Sequence, residues 1–213
     1  MDFSLNKQID DTISSNWAIR WRHPVSMAVI LVCALILLIT PPHWSPQSLG
    51  WHIADSLGFI LVVIAAFGRI WCSLYISGYK EDRVVAEGPY AIVRNPLYVF
   101  SFIGAIGLGL ITQHLVVPGI IALAFLLYYP LVVRGEEQVL GHKFGPLYDA
   151  YKSSVPRFLP RRFRLVEPDT YPLRLRHVRR SMQEIMGFFW AYLILKWAVE
   201  IHYTGWLHNF SFS

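Results

Sequence analysis

The apolar residues of this chain are gathered into five runs, at 25–40, 53–77, 97–112, 115–133 and 183–203, instead of being spread at amphipathic spacing. Lipid offers no partner to a backbone N–H or C=O, so runs of this kind cross a bilayer as helices that satisfy every peptide group internally. A helix needs about 20 residues for the crossing, which makes the first and third runs short but usable. Charged residues are 15% of the chain, against about a quarter in soluble domains. Five spans in 213 residues leave little for a separate soluble domain. The fold expected is therefore all-α: one polytopic membrane bundle of about five transmembrane helices over residues 1–213, ending in a helix at 183–203.

Charge placement orients the bundle. Lys7, Arg20 and Arg22 precede the first run, and Lys80, Arg83 and Arg94 lie between the second and third. Eleven Lys and Arg residues, from Arg134 to Arg180, lie between the fourth and fifth, whereas 41–52, 113–114 and 204–213 hold none. The positive-inside rule then expects a cytoplasmic N-terminus and a C-terminus on the opposite side. The Pro- and Arg-rich segment 156–182 reads as an irregular basic stretch whose Arg161, Arg162, Arg164 and Arg174–Arg180 touch anionic headgroups. No aromatic-interleaved groove accompanies it, so a nucleic-acid partner is not expected. The polar N-terminus and the absence of a small-x-small site argue against a cleaved signal. Cys33 and Cys72 fall inside runs and read as small packing residues, with no disulfide framework.

Two polar clusters stand at the mouths of these helices. EGPYAIVRNPLY at 87–98 opens onto the third run, and RGEEQVL at 134–140 follows the fourth. Only a turn at Gln113-His114 separates the two runs, so they form an antiparallel hairpin with both clusters at one membrane face. Ionisable groups at such depth cost a few kcal/mol each unless paired or wetted, which marks them as functional candidates. Gly88-Pro89-Tyr90 is a turn signal, and Asn95-Pro96 reads as a helix start with Pro96 at the first position. A helix N-terminus attracts carboxylates and phosphates, and Arg94 adds a fixed charge. Tyr90 and Tyr98 serve equally as ligand contacts or interfacial anchors. Glu136 and Glu137 diverge by about 100° on a helix, so one can pair with Arg94 or Arg134 while the other faces a ligand cation or solvent.

Elsewhere, Ser101, Ala105 and Gly109 form one small-residue ridge on the third run and Gly104 with Gly107 another, for helix packing or close approach of a ligand. Arg69 is expected to snorkel to the cytoplasmic face, and Lys196 to pair with Glu200 on its own helix. His43, His52, His114, His202 and His208 fall at the outer face without metal-ligand spacing, so solvated positions and no metal site are expected. A Gly145-Pro146 break divides the amphipathic stretch that follows Glu136.

The pattern G-x-Y-x-x-x-R-x-P-x-Y, a hairpin, then E-E-x-x-L-x-x-x-F-G-x-x-Y-x-x-Y is met by Gly88, Tyr90, Arg94, Pro96, Tyr98, Glu136, Glu137, Leu140, Phe144, Gly145, Tyr148 and Tyr151. It resembles the isoprenylcysteine carboxyl methyltransferase family of integral membrane methyltransferases, with phospholipid methyltransferases as more distant relatives. The resemblance covers about 55–160, with its motifs at 86–98 and 134–151. It implies S-adenosylmethionine as cofactor at the cytoplasmic face, held by Gly88, Pro89, Tyr90, Arg94, Asn95, Pro96, Tyr98, Glu136 and Glu137. It further implies catalytic roles for Arg134, holding an acceptor carboxylate, and for Glu137, a base if the acceptor is an amine or thiol. Where the family has histidine after the arginine, this chain has Asn95, which keeps hydrogen bonding but does not titrate near neutrality.

The expected activity is methyl transfer to a lipophilic or lipidated acceptor entering from membrane lipid. A carboxylate is the acceptor the resemblance favours; a phospholipid amine or a small N- or S-acceptor is the alternative. A scaffold retained for binding or assembly without catalysis is the alternative of another class.

Overall fold

The structure, a computed structural model, describes residues 17–77, 79, 82–161, 163 and 165–203, with the side chains of His177, His202 and Tyr203 left aside. Lys7, Lys80, Arg162, Arg164 and His208 lie outside those residues. Among the described residues seven helices follow in order: α1 Trp17–Ile39, α2 Leu49–Ile76, α3 Pro89–Ile92, α4 Pro96–Ile111, α5 Val116–Phe144, α6 Pro146–Ser154 and α7 Leu175–Tyr203. The described residues contain no strand. Each apolar run coincides, to within one residue at one end, with a stretch of one of five helices, α1, α2, α4, α5 and α7. Of these, α1, α2 and α5 are long and apolar enough to cross a membrane, while α4 is apolar but shorter.

Helix α4 occupies the centre, packed most extensively on α2 and also on α5 and α7. Small residues make this approach close. A Cβ on Gly58 of α2 would lie 2.7 Å from the Gly107 carbonyl oxygen, and one on Gly107 would lie 2.7 Å from that of Gly58. A Cβ on Gly104 would come within 2.8 Å of Ala65 Cβ. With no hydrophobic force between helices in lipid, dispersion at such backbone contacts carries the association. The Gly104–Gly107 face is thus a packing face. The Ser101–Ala105–Gly109 ridge instead borders an open cleft.

The α4–α5 turn is tightly built. Gln113 takes a left-handed conformation, φ 62°, and its side chain is fully buried with neither amide atom bonded among the described residues. His114, read in sequence as solvated, is buried too: Nδ1 lies 2.6 Å from the Thr112 carbonyl oxygen and Nε2 2.9 Å from that of Thr40. Lys196 reaches across to Asp55 of α2 at 2.5 Å, a partner that spacing along its own helix does not reveal.

At the other end, α5 continues eleven residues past its apolar run, so the acidic pair is carried on an unbroken helix. It stops at Gly145, φ 53°, and Pro146 opens α6. The segment after α6 is laid against the 75–95 region. The Gly88 N–H donates to Val166 O at 2.8 Å, Tyr79 Oη to Pro172 O at 2.9 Å, and Tyr171 Oη to Tyr75 O at 2.6 Å.

Candidate active site

Glycine and two prolines shape the polar mouth. Gly88 turns the chain at φ 57°, where an added Cβ would also strike the Tyr75 ring at 2.5 Å. Pro89 and Pro96 each open a helix at a position where the missing N–H costs nothing, and both are buried. Asn95 precedes α4, but its side chain makes no cap bond. It sits 3.4 Å from Glu137 Oε1 and from Arg157 O. Tyr90 is buried under this turn, and Tyr151 of α6 donates to its carbonyl at 2.8 Å. Burial pushes both hydroxyls well above the ordinary tyrosine range, so at neutral pH they are donors.

The two glutamates have separate engagements. Glu137, only 5% exposed, receives Arg94 Nε on Oε1 at 3.0 Å and Arg157 Nη2 on Oε2 at 2.6 Å. Arg94 also donates through Nη1 to the carbonyls of Lys152 and Val155, both at 2.7 Å. Arg94 and Glu137 thereby tie α5, the start of α4 and the end of α6 together. About 100° round the helix, Glu136 faces a cavity instead. Tyr98 Oη donates to its Oε1 at 3.0 Å, and Arg22 of α1 reaches the same oxygen at 3.2 Å.

That cavity, of about 240 Å³, collects Tyr90, Asn95, Tyr98 and Glu136 with four arginines, Arg22, Arg69, Arg83 and Arg94. Leu97, Leu140, Phe144 and Val85 supply its apolar wall. Gly88, Pro89 and Pro96 shape the loops beside it without lining it. Arg69 does not snorkel outward as expected; its guanidinium turns inward and bonds Ser101 Oγ of α4. Arg134 stands elsewhere, in a second, polar pocket with Glu137, His142, Asp149 and Arg157. A third space, of about 510 Å³, is an apolar cleft between α1, α4, α5 and α7. Ser101 lines both this cleft and the first cavity. Sequence reasoning named Ser101 only within a small-residue ridge and Arg22 only as an orienting charge, and it missed Arg157 as a partner of Glu137. Arg157 carries no local signal, being twenty residues past its partner in a Pro- and Arg-rich segment.

The donor set suits the cofactor named above. Glu136 with Tyr98 offers an acceptor to an ammonium group, the arginines at the mouth can meet a carboxylate, and the apolar wall can take a planar base. The enclosed volume of about 240 Å³ falls below the roughly 300 Å³ lower end of small-molecule sites, so part of such a ligand would stand outside it.

An all-helical membrane bundle with a polar cavity at one end, abutting an apolar cleft, defines an integral membrane protein able to bring a polar and a lipophilic molecule together. The phospholipid methyltransferase family profile matches residues 53–146, the stretch that builds α2, both polar clusters and the hairpin. Over this stretch the chain is similar to the phospholipid and isoprenylcysteine methyltransferases, and over nearly its whole length it belongs to the family of the resistance proteins NccN and CzcN. The protein-S-isoprenylcysteine O-methyltransferase of Schizosaccharomyces pombe is 32% identical over 81 residues, 38% of this chain and 34% of that one. Two relatives match over most of their length. The nickel-cobalt-cadmium resistance protein NccN of Alcaligenes xylosoxydans is 34% identical over 192 residues, 89% of each chain. The cobalt-zinc-cadmium resistance protein CzcN of Cupriavidus metallidurans is 36% identical over 190 residues, 89% of this chain and 87% of that one. No solved structure matches the chain significantly.

Proposed function

We propose that the protein is an S-adenosylmethionine-dependent methyltransferase acting on a lipophilic acceptor, with its cavity and N-terminus on the cytoplasmic side and its five apolar helices all spanning. The observation that carries this reading is the meeting, at Ser101, of a polar cavity holding Glu136 and Tyr98 with an apolar cleft open to the bundle's flank. Glu136 and Tyr98 hold the cofactor's ammonium, Asn95 and Tyr90 line its place, and Arg83 at the mouth meets its carboxylate. When bound, the cofactor supplies a methyl group on a sulfonium already activated for displacement. The chain's part is to align the acceptor and to exclude water, which is where most of the rate in such displacements originates. Arg94 and Glu137 hold the site's frame. The names of NccN and CzcN support metal tolerance as the setting in which the methylated product acts.

Isothermal titration of S-adenosylmethionine into the detergent-solubilised full chain tests the reading. Saturable binding is expected, weakened about tenfold or more by Glu136→Gln, since a hydrogen bond to a charged group contributes roughly 1.5–3 kcal/mol. The melting temperature of that variant should stay close to that of the parent, because Glu136 makes no part of the buried Arg94–Glu137–Arg157 tie. Absence of binding to the parent chain would overturn the reading.

A further inference from the structure

Among the described residues Glu136 is the single carboxylate lining the cavity, and its place is already taken. Arg22 of α1 reaches its Oε1 with Nη1 at 3.2 Å, on the oxygen that also accepts the Tyr98 hydroxyl at 3.0 Å. The other two paired arginines of the cavity have partners outside its lining, Arg83 in Glu87 and Arg94 in Glu137. Arg22 lines the cavity itself, with 42% of its side chain exposed against 16% for Glu136. The guanidinium is thus the accessible partner and the carboxylate the enclosed one. An arriving ammonium gains little from a carboxylate already neutralised, and it meets the like charge of the guanidinium.

The helix that carries Arg22 is loosely held. Ala18 is its one buried residue among the described ones, and among the described helices it packs on α5 alone. The apolar cleft separates it from α4 and α7. Its N-terminal end is tied to α5 by few polar contacts besides Arg22: the Tyr128 hydroxyl donates to Ala18 O at 2.6 Å, and Ser26 Oγ lies 3.4 Å from Tyr129 Oη. Pro24 sits inside the helix, two residues past Arg22. Its ring nitrogen has no proton for the Arg20 carbonyl, so one rung of the helix ladder is missing beside the contact. A helix interrupted in this way bends there at low cost. Residue 22 also lies outside the stretch 53–146 that matches the phospholipid methyltransferase profile, so the contact is added to the shared core.

We propose that Arg22 is an internal plug, an autoinhibitory contact in which its guanidinium holds Glu136 until a ligand's ammonium displaces it and frees the N-terminal end of α1. The inference rests on the methyltransferase reading for the identity of the incoming cation, but not for the contact itself. Affinity for the ligand is lowered by the fraction of chains in which the carboxylate is occupied.

Isothermal titration of S-adenosylmethionine into the detergent-solubilised full chain gives the sign that separates a plug from a ligand contact. Removing a residue that grips the ligand weakens binding; removing a plug tightens it. Arg22→Gln should tighten S-adenosylmethionine about three- to tenfold, as for a contact closed in about seven to nine chains of ten. Arg22→Lys keeps the cation and should stay within about twofold of the parent. Arg20→Gln takes the same charge from the same helix outside the cavity lining, and should leave the affinity unchanged. Methylthioadenosine has no ammonium, so Arg22→Gln should bind it no better than the parent does. In a Glu136→Gln background Arg22→Gln should change nothing, because both substitutions act through one contact. The proposal is overturned if Arg22→Gln weakens S-adenosylmethionine or leaves it unaltered. It is equally overturned if Arg20→Gln or methylthioadenosine shows the same gain, or if the gain persists in the Glu136→Gln background.

A ligand-free measurement decides the contact even where S-adenosylmethionine does not bind. A nitroxide at Trp21→Cys, an exposed position beside Arg22, in a Cys33→Ala/Cys72→Ala chain reports the motion of this end of α1. Glu136→Gln and Arg22→Gln should each loosen the label to the same extent, and saturating S-adenosylmethionine should loosen it in the parent. A spectrum unchanged by both substitutions, or a label tightened by the ligand, overturns the proposal. If both substitutions loosen the label while neither the parent nor Arg22→Gln binds S-adenosylmethionine, the methyltransferase reading falls and the plug stands.

Discussion

Two adjacent glutamates have different tasks because a helix turns by about 100° per residue. Glu137 points into protein and meets two guanidinium groups; Glu136 points into a cavity and meets a phenol and an arginine from α1. Removing one member of a buried ion pair strands the other, at a cost of about 3–5 kcal/mol. Glu137→Gln should therefore lower the thermal unfolding midpoint markedly in detergent, with Glu136→Gln nearly neutral in the same assay. Equal melting of the two variants would remove the distinction. The motif made both glutamates visible in sequence, and the spacing showed that they must diverge. Which of them faces the cavity depends on Arg157, and no local pattern announces an arginine in a Pro- and Arg-rich stretch. Arg69 was conspicuous as a charge inside an apolar run, yet its direction was set by Ser101 on a neighbouring helix. Helix-by-helix reading has no access to that contact.

At the level of elements, the five apolar runs and the hairpin were legible because lipid leaves the backbone no option but helix. Helix ends were less so: α5 outlasts its apolar run by three turns, since polar residues with good helix propensity continue it until Gly145 and Pro146. Both small-residue faces of α4 were visible, but not which of them packs. The Gly58–Gly107 contact decides it, with each glycine's missing Cβ replaced by the other's carbonyl oxygen. A methyl group there must push α2 and α4 apart over their whole contact. Gly107→Ala should cost about 1–3 kcal/mol, in the range of overpacked cores. Gly119→Ala is the matched control, because a Cβ at Gly119 of α5 meets nothing within 4 Å and alanine favours the helix by about 1 kcal/mol. Thermal unfolding of the pair should move in opposite directions, and a Gly107→Ala variant as stable as the parent would show that the helices part without loss.

For the whole molecule, the proposed sidedness rests on a charge imbalance that packing does not explain. The polar end carries the 134–180 arginines and lysines, and the far turns at 41–52 and 113–114 carry none. The positive-inside rule expects such loops in the cytoplasm. The proposed cytoplasmic N-terminus with five crossings would put the C-terminus on the opposite side and the cavity mouth on the cytoplasmic one, where the proposed cofactor can reach it. Among the described helices only α1, α2 and α5 satisfy length and apolarity together, so the crossing by α4 and α7 is the step that needs measurement. Single cysteines placed at Ser45, Lys152 and Ser213 of a Cys33→Ala/Cys72→Ala chain, probed in intact cells with a membrane-impermeant maleimide, separate the arrangements. Five crossings expect labelling at 45 and 213 and protection at 152. If α7 lies along the surface instead of crossing, 213 joins 152 in protection, while 45 still labels. If α5 crosses without α4, 152 labels together with 45, and the cavity loses the shared face on which both polar clusters depend.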